Sequence, residues 1–187
     1  VPSPSPTGHP TILPTITLSP TTQNCYPFAV QLDFFNANVS VNNLGGQGPF
    51  FSQPEEIRYA GIGSYGSEDF DLVVTSRSKY APMNSANNGQ NGRFGQINLA
   101  VGSSVDLTFT LRNEANEPLP LNSFYFSFFD LDEGDDNREK ICLATNAFHE
   151  THVAPGTTEI EIVETDGETC FSSNRRGYVL SYFIEQI

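Results

Sequence analysis

Between Ser104 and Leu111 the chain alternates without a fault: Val105, Leu107, Phe109 and Leu111 are apolar, while Ser104, Asp106, Thr108 and Thr110 are polar. A period of two belongs to a strand with one face in a core and the other in water. The pattern recurs. Val30, Leu32 and Phe34 alternate with Gln31, Asp33 and Phe35, and Ile160 and Ile162 alternate with Glu159 and Glu161 over Thr158 to Val163. Asn122 to Asp130 is aromatic on both faces, with Phe124, Phe126 and Phe128 opposite Tyr125 and Phe129, which predicts a central strand covered on each side. Tyr178 to Ile184 predicts a last strand, and shorter ones are predicted at Ile57–Tyr59, Asp71–Thr75, Gly95–Ala100, Lys140–Ala144 and Thr169–Ser172. Gly45-Gly46, Asn88-Gly89, Asn91-Gly92 and Gly102 supply the positive φ of tight turns between them, and the polar stretch Tyr80 to Arg93 reads as a surface loop. No segment carries an amphipathic helical period. About ten short strands with turn chemistry between them predict an all-β fold, a single antiparallel β-sandwich of jelly-roll-like form.

The first twenty-four residues differ in kind. They contain six prolines, three serines, six threonines and no charged side chain, so the chain there is extended. Yet Ile12, Pro14, Ile16 and Leu18 form an apolar edge opposite Leu13, Thr15, Thr17 and Ser19, bounded by Pro10 and Pro20. That is again the strand period. The expected organisation is a Pro/Ser/Thr-rich leader over 1–24 with a strand at about 12–18, followed by the β-sandwich domain over 25–187. Compositionally the leader reads as an O-glycosylated stalk, with Thr7, Thr11, Thr15, Thr17, Thr21 and Thr22 as acceptors, or as a bare linker. Asn38-Val39-Ser40 is an N-glycosylation sequon at Asn38.

A formal net charge of −13 argues against nucleic acid or an anionic membrane surface as partner, since both select basic patches. No apolar run approaches the roughly 20 residues that span a bilayer, so membrane insertion is not expected. The chain opens without an initiator Met or a signal sequence, as a processed product would. With the leader and the sequon, this predicts a secreted, extracellular or cell-surface protein. In an oxidising compartment the three cysteines, Cys25, Cys142 and Cys170, leave one disulfide and one spare thiol. Cys142–Cys170 is the favoured pair, because both lie in strand-like segments separated by one hairpin.

The densest constellation of ligand oxygens is the turn after the aromatic strand, where Asp130, Asp132, Asp135, Asp136 and Glu139 could hold Ca²⁺, a cation that takes six to eight hard oxygens. A second group, Glu68, Asp69 and Asp71, could add ligands from a neighbouring loop. The rival reading is a solvated acidic turn. The spacing is not that of an EF-hand, because Gly134 comes one position early and Ile141 stands where a bidentate Glu belongs. His149-Glu150-Thr151-His152 fails as a zinc motif. Its histidines are three apart rather than four, in a stretch with strand neighbours. Arg175-Arg176 reads as partner to acidic groups rather than as an anion site. No nucleophile motif, phosphate loop or credible cysteine–histidine pair is present, so no enzymatic activity is expected.

Asp71-Leu72-Val73-Val74, then Asn91-Gly92-Arg93-Phe94-Gly95-Gln96-Ile97-Asn98-Leu99, then Phe124-Tyr125-Phe126-Ser127-Phe128-Phe129-Asp130-Leu131-Asp132-Glu133 follow one another in an order that resembles secreted protist and algal, diatom-like extracellular domains with Pro/Thr-rich stalks. The resemblance covers about residues 55 to 145. It implies a secreted β-domain of cell-surface or fibre-forming type and supplies no catalytic residues. Two functions follow. In the first, the chain is a structural subunit of a filament or surface fibre, its strand of Ile12, Pro14, Ile16 and Leu18 adding to the next copy. In the second, it is a calcium-dependent carbohydrate-binding or adhesion module, with glycans as partners and the leader as a stalk.

Overall fold

The strands pair as their alternation requires. The computed structural model describes residues 30–121, 124–129, 131, 138–152, 160–173 and 181–186. Within them lie β1 (Asn38–Asn42), β2 (Glu56–Tyr65), β3 (Glu68–Ser76), β4 (Gly89–Asn91), β5 (Phe94–Gln96), β6 (Leu107–Asn113), β7 (Phe124–Phe129), β8 (Lys140–Ala144), β9 (Glu150–His152), β10 (Ile160–Thr165), β11 (Glu168–Ser173) and β12 (Ser181–Gln186). They form a four-stranded sheet in the order β1-β2-β3-β6, two three-stranded sheets ordered β10-β11-β8 and β7-β12-β9, and the hairpin β4-β5. All these strand pairs are antiparallel. The fold is all-β, as the period of two predicts. Its only helical pieces among the described residues are two short 3₁₀ turns, Leu44–Gly46 and Ser85–Asn87.

The inner face of the four-stranded sheet makes the larger core. Phe70, Leu72 and Val74 of β3 point the same way and pack with Ile57, Tyr59, Ile62, Leu44 and Leu111. Phe124 and Phe126 of β7 close over this cluster, so a second sheet faces the first in sandwich fashion. A smaller core of Leu131, Ile160 and Phe171 lies against β10-β11-β8. In β2 a bulge adjusts the sheet, where Ala60, Gly61 and Ile62 stand opposite Asp71 alone. Gly61 there has φ +64°, which only glycine adopts without strain, and its N–H donates to Asp71 Oδ1 at 2.9 Å.

Several expectations are corrected. Residues 30–35 keep their alternation, with Val30 buried and Phe35 exposed, but do not form a strand. The Asp33 carboxylate accepts from the N–H groups of Phe35 (3.0 Å) and Asn36 (3.3 Å), and this capture turns the chain out of the ladder. The strand forms instead at β1, which contains the sequon. β7 is not a central strand. Among the described residues it is the edge of β7-β12-β9, met on its far side by Val30 at Phe124 alone, with Tyr125 and Phe129 exposed on its outer face. The stretch from Tyr80 to Arg93 is not merely a surface loop, because Tyr80 and Asn88 are buried in it and β4 begins within it. The strand predicted over Gly95–Ala100 stops at Gln96, and the one predicted from Ser104 begins at Leu107.

Candidate functional site: an open sheet edge

The assembly strand of Ile12, Pro14, Ile16 and Leu18 lies outside the described residues, as do Thr7, Thr11, Thr15, Thr17, Thr21, Thr22 and Cys25. So do Asp130, Asp132, Asp135 and Asp136 of the acidic turn, and Arg175 and Arg176. Two ends of that turn are described. Leu131 is buried in the smaller core, and Glu139 is exposed just before β8. Arg138 beside it pairs with Glu161 across to β10 at 2.9 Å. Glu68, Asp69 and Asp71 do not belong to a loop but lie along β3, where Asp71 Oδ2 is engaged by Arg58 Nη1 at 3.1 Å. Asn38 is exposed at the start of β1, as a glycosylation acceptor must be.

Cys142 and Cys170 form the disulfide. They stand directly opposite one another on β8 and β11, with Cα atoms 4.0 Å apart. Glu168 approaches the same two sulfurs, and among the described residues this trio is the one cluster of metal-ligand types. Both sulfurs are consumed in the S–S bond, which leaves one carboxylate. The segment from His149 to His152 enters β9, so its backbone is extended and not the helix on which two histidines converge upon zinc.

The feature that chemistry can use is the outer edge of β6. β6 pairs with β3 on one side, and on the other the N–H of Leu119 donates to Leu111 O (2.8 Å) and the N–H of Asn113 to Glu117 O (3.0 Å). Leu111 and Asn113 therefore direct their backbone groups outward. Phe109 and Leu107, two and four residues earlier, must do the same, because these groups alternate along a strand. Past Leu119 the chain leaves β6, and Pro120 has no N–H to offer. Between the diverging segments opens a groove of about 460 Å³, lined by Phe109, Thr110, Leu111, Pro118, Leu119, Pro120, Leu121 and Phe124. Not one lining side chain is charged, in a chain with 22 acidic residues. Phe109 also meets Phe126 (ring centroids 5.3 Å apart) and Phe128 (6.5 Å), which ties β6 to β7 across the layers. Val30 forms a parallel bridge with Phe124, one of the residues that line the groove.

Polar order inside the larger core fixes the rest. Tyr59 donates to Gly89 O at 2.7 Å, and burial pushes its hydroxyl far above the usual phenol range. Burial also raises Tyr80, whose O–H is shared between two acceptors, Asn88 Oδ1 and Asn98 O. Asn88 Oδ1 additionally accepts the N–H of Asn98 at 2.8 Å, so this side chain joins the 80s segment to the one after β5. On the outer face Arg58 binds Glu56, Asp71 and Asn116 together. Its burial favours deprotonation, but the two carboxylates outweigh that and raise its pKa. Tyr59, Tyr80 and Asn88 were legible only as an aromatic in a short strand, an aromatic at the start of a polar stretch, and half of an Asn-Gly turn. Neither the edge nor the groove carries a sequence signal of its own.

No protein-family model, curated protein or solved structure matches the chain.

Proposed function

We propose that this protein is a non-enzymatic extracellular structural protein, the subunit of a filament or surface fibre, and that copies join head to tail when the leader strand of one adds to a sheet of the next. The observation that carries the reading is the charge-free groove beside Val30. A charge-free segment with a strand's alternation at 12–18 is tethered to Val30, and Val30 is bridged to Phe124 at the rim of a charge-free apolar groove. Added strands gain affinity from main-chain hydrogen bonds and register from alternate side chains seated in pockets. A contact between unlike surfaces that does not close on itself propagates into a fibre. The Cys142–Cys170 disulfide is compatible with an oxidising compartment.

Electron microscopy of the purified chain tests this directly. Wild-type protein should form fibres, and the double variant Ile16→Asp, Leu18→Asp should remain folded and monomeric. Fibres from the double variant, or a monomeric wild type under conditions that preserve the fold, would overturn the proposal.

A further inference from the structure

Resting on that reading, we infer that the acceptor is the outer edge of β6 with its groove, and that its occupant is the strand 12–18 of a second copy. The four-stranded sheet has two edges, and they are not equivalent. At β1 the edge is already taken. The N–H of Asn42 donates to Gln53 Oε1 at 2.7 Å and its C=O accepts from Phe50 N at 3.2 Å, so the 50–53 loop lies along it. The register slips between Val39 and Val41, and Asn38 at the far end carries the sequon. A bulge and a covering loop are means by which edges are kept from pairing. At β6 the 117–119 segment covers only the far end, at Leu111 and Asn113, and among the described residues neither a bulge nor a covering loop stands at Leu107 or Phe109. Leu107 and Phe109 present N–H and C=O groups outward, beside a groove that continues the core.

The occupant follows from charge, length and parity. Leader and groove are both free of charge, so docking sets no carboxylate against another in a chain of net charge −13. From Leu18 to Val30 the tether spans up to roughly 40 Å when extended, enough to reach an adjacent copy. Residues directly opposite in an antiparallel pair share a face and, at alternate positions, exchange both hydrogen bonds. Setting Ile16 opposite Phe109 and Leu18 opposite Leu107 lets both pairs bond and turns both side chains to the core side, where Leu107 and Phe109 already face. Pro14 then falls beyond the paired stretch, abreast of the Leu111 carbonyl that Leu119 already occupies, where its missing N–H is not needed.

Complementation between two full-length variants tests the assignment. Leu107→Pro removes an outward N–H at the first position of β6, a place where proline is tolerated, and so blocks the edge without breaking the ladder to β3. Pro120→Glu, at an exposed wall of the groove, blocks it by charge and guards against a folding defect in the first variant. Ile16→Asp, Leu18→Asp removes the donor and keeps the acceptor. Each variant alone should stay monomeric by light scattering, and mixing either edge variant with the donor variant should give dimers that grow no further. If both edge variants polymerise like the wild type, the acceptor lies elsewhere and this inference falls while the fibre reading stands. If the wild type does not polymerise, the fibre reading itself falls. A disulfide between Ile16→Cys and Phe109→Cys that closes within one copy rather than between copies would also overturn it, since the strand then inserts into its own body.

Discussion

The two cores reach order by different routes. The larger one, on β1-β2-β3-β6, buries Phe70, Leu72, Val74, Ile57, Ile62 and Leu44 almost completely and adds hydrogen-bonded Tyr59 and Tyr80. The smaller one, on β10-β11-β8, buries Leu131, Ile160 and Phe171 and leaves Ile162 (42%) and Val163 (44%) substantially in water. Among the described residues that cluster buries little, and burial so limited supplies little net stability, because it scales with the apolar area removed from water while every ordered residue costs conformational entropy. Where burial is thin the chain is stapled, and the staple closes a loop with a sequence separation of 28. The lesson is a division of labour: packing holds one region, and a covalent bond holds the other.

That contrast can be broken in two places. Phe70→Ala, in the larger core, should cost about 4 kcal/mol, since a buried phenylalanine leaves both lost transfer energy and a cavity. Denaturant titration measures it, and a loss under about 1.5 kcal/mol would mean that the larger core does not carry the load assigned to it. Breaking the disulfide by Cys142→Ser with Cys170→Ser should cost about 3.5 kcal/mol on loop-closure grounds and should raise amide exchange first in β8, β10 and β11. Equal protection in the reduced and oxidised forms of those strands would erase the distinction between the two cores.

Much of this was legible beforehand. Lys140–Ala144 is a strand within the same bounds, the cysteine pair is the one expected, and Val105, Leu107 and Leu111 face the core as their parity requires. Parity survived even where the strand did not, at 30–35, because facing depends on the local pleat while pairing depends on what captures the backbone. There a single carboxylate, Asp33, decided the outcome. The aromatic run of β7 misled for a related reason. Apolar residues on both faces predict cover on both faces, but Tyr125 and Phe129 lie exposed on an edge, with the Phe94 ring tilted against Phe129 at 4.7 Å between centroids. The groove was not legible because it is made by divergence. It exists only because the chain leaves β6 after Leu119, and no period in the sequence encodes a departure. Long-range polar joins such as Tyr59 with Gly89, thirty residues apart, are equally silent until the fold is known.

Tyrosine separates the cores by a smaller and more selective effect. Among the described residues the larger core holds two buried phenols, and the smaller cluster of Leu131, Ile160 and Phe171 holds none. Burial raises Tyr59 above the value near 10 that a phenol has in the unfolded chain. As pH climbs past about 10, the unfolded state gives up this proton while the folded state keeps it, so the unfolded state binds fewer protons and stability falls with pH. The stabilising contribution is complete below about pH 10 and drains away above it, by up to about 1.4 kcal/mol per pH unit for one such group. Tyr59→Phe should cost about 1 kcal/mol at pH 7, for the lost hydrogen bond to Gly89, and should flatten the decline between pH 10 and pH 11. Denaturant midpoints at pH 7, 10 and 11 for the two proteins give the comparison. A wild-type midpoint as insensitive to pH as that of Tyr59→Phe would show that the buried phenol opens to water before the larger core gives way, and the core would then be looser around β2 than its packing implies.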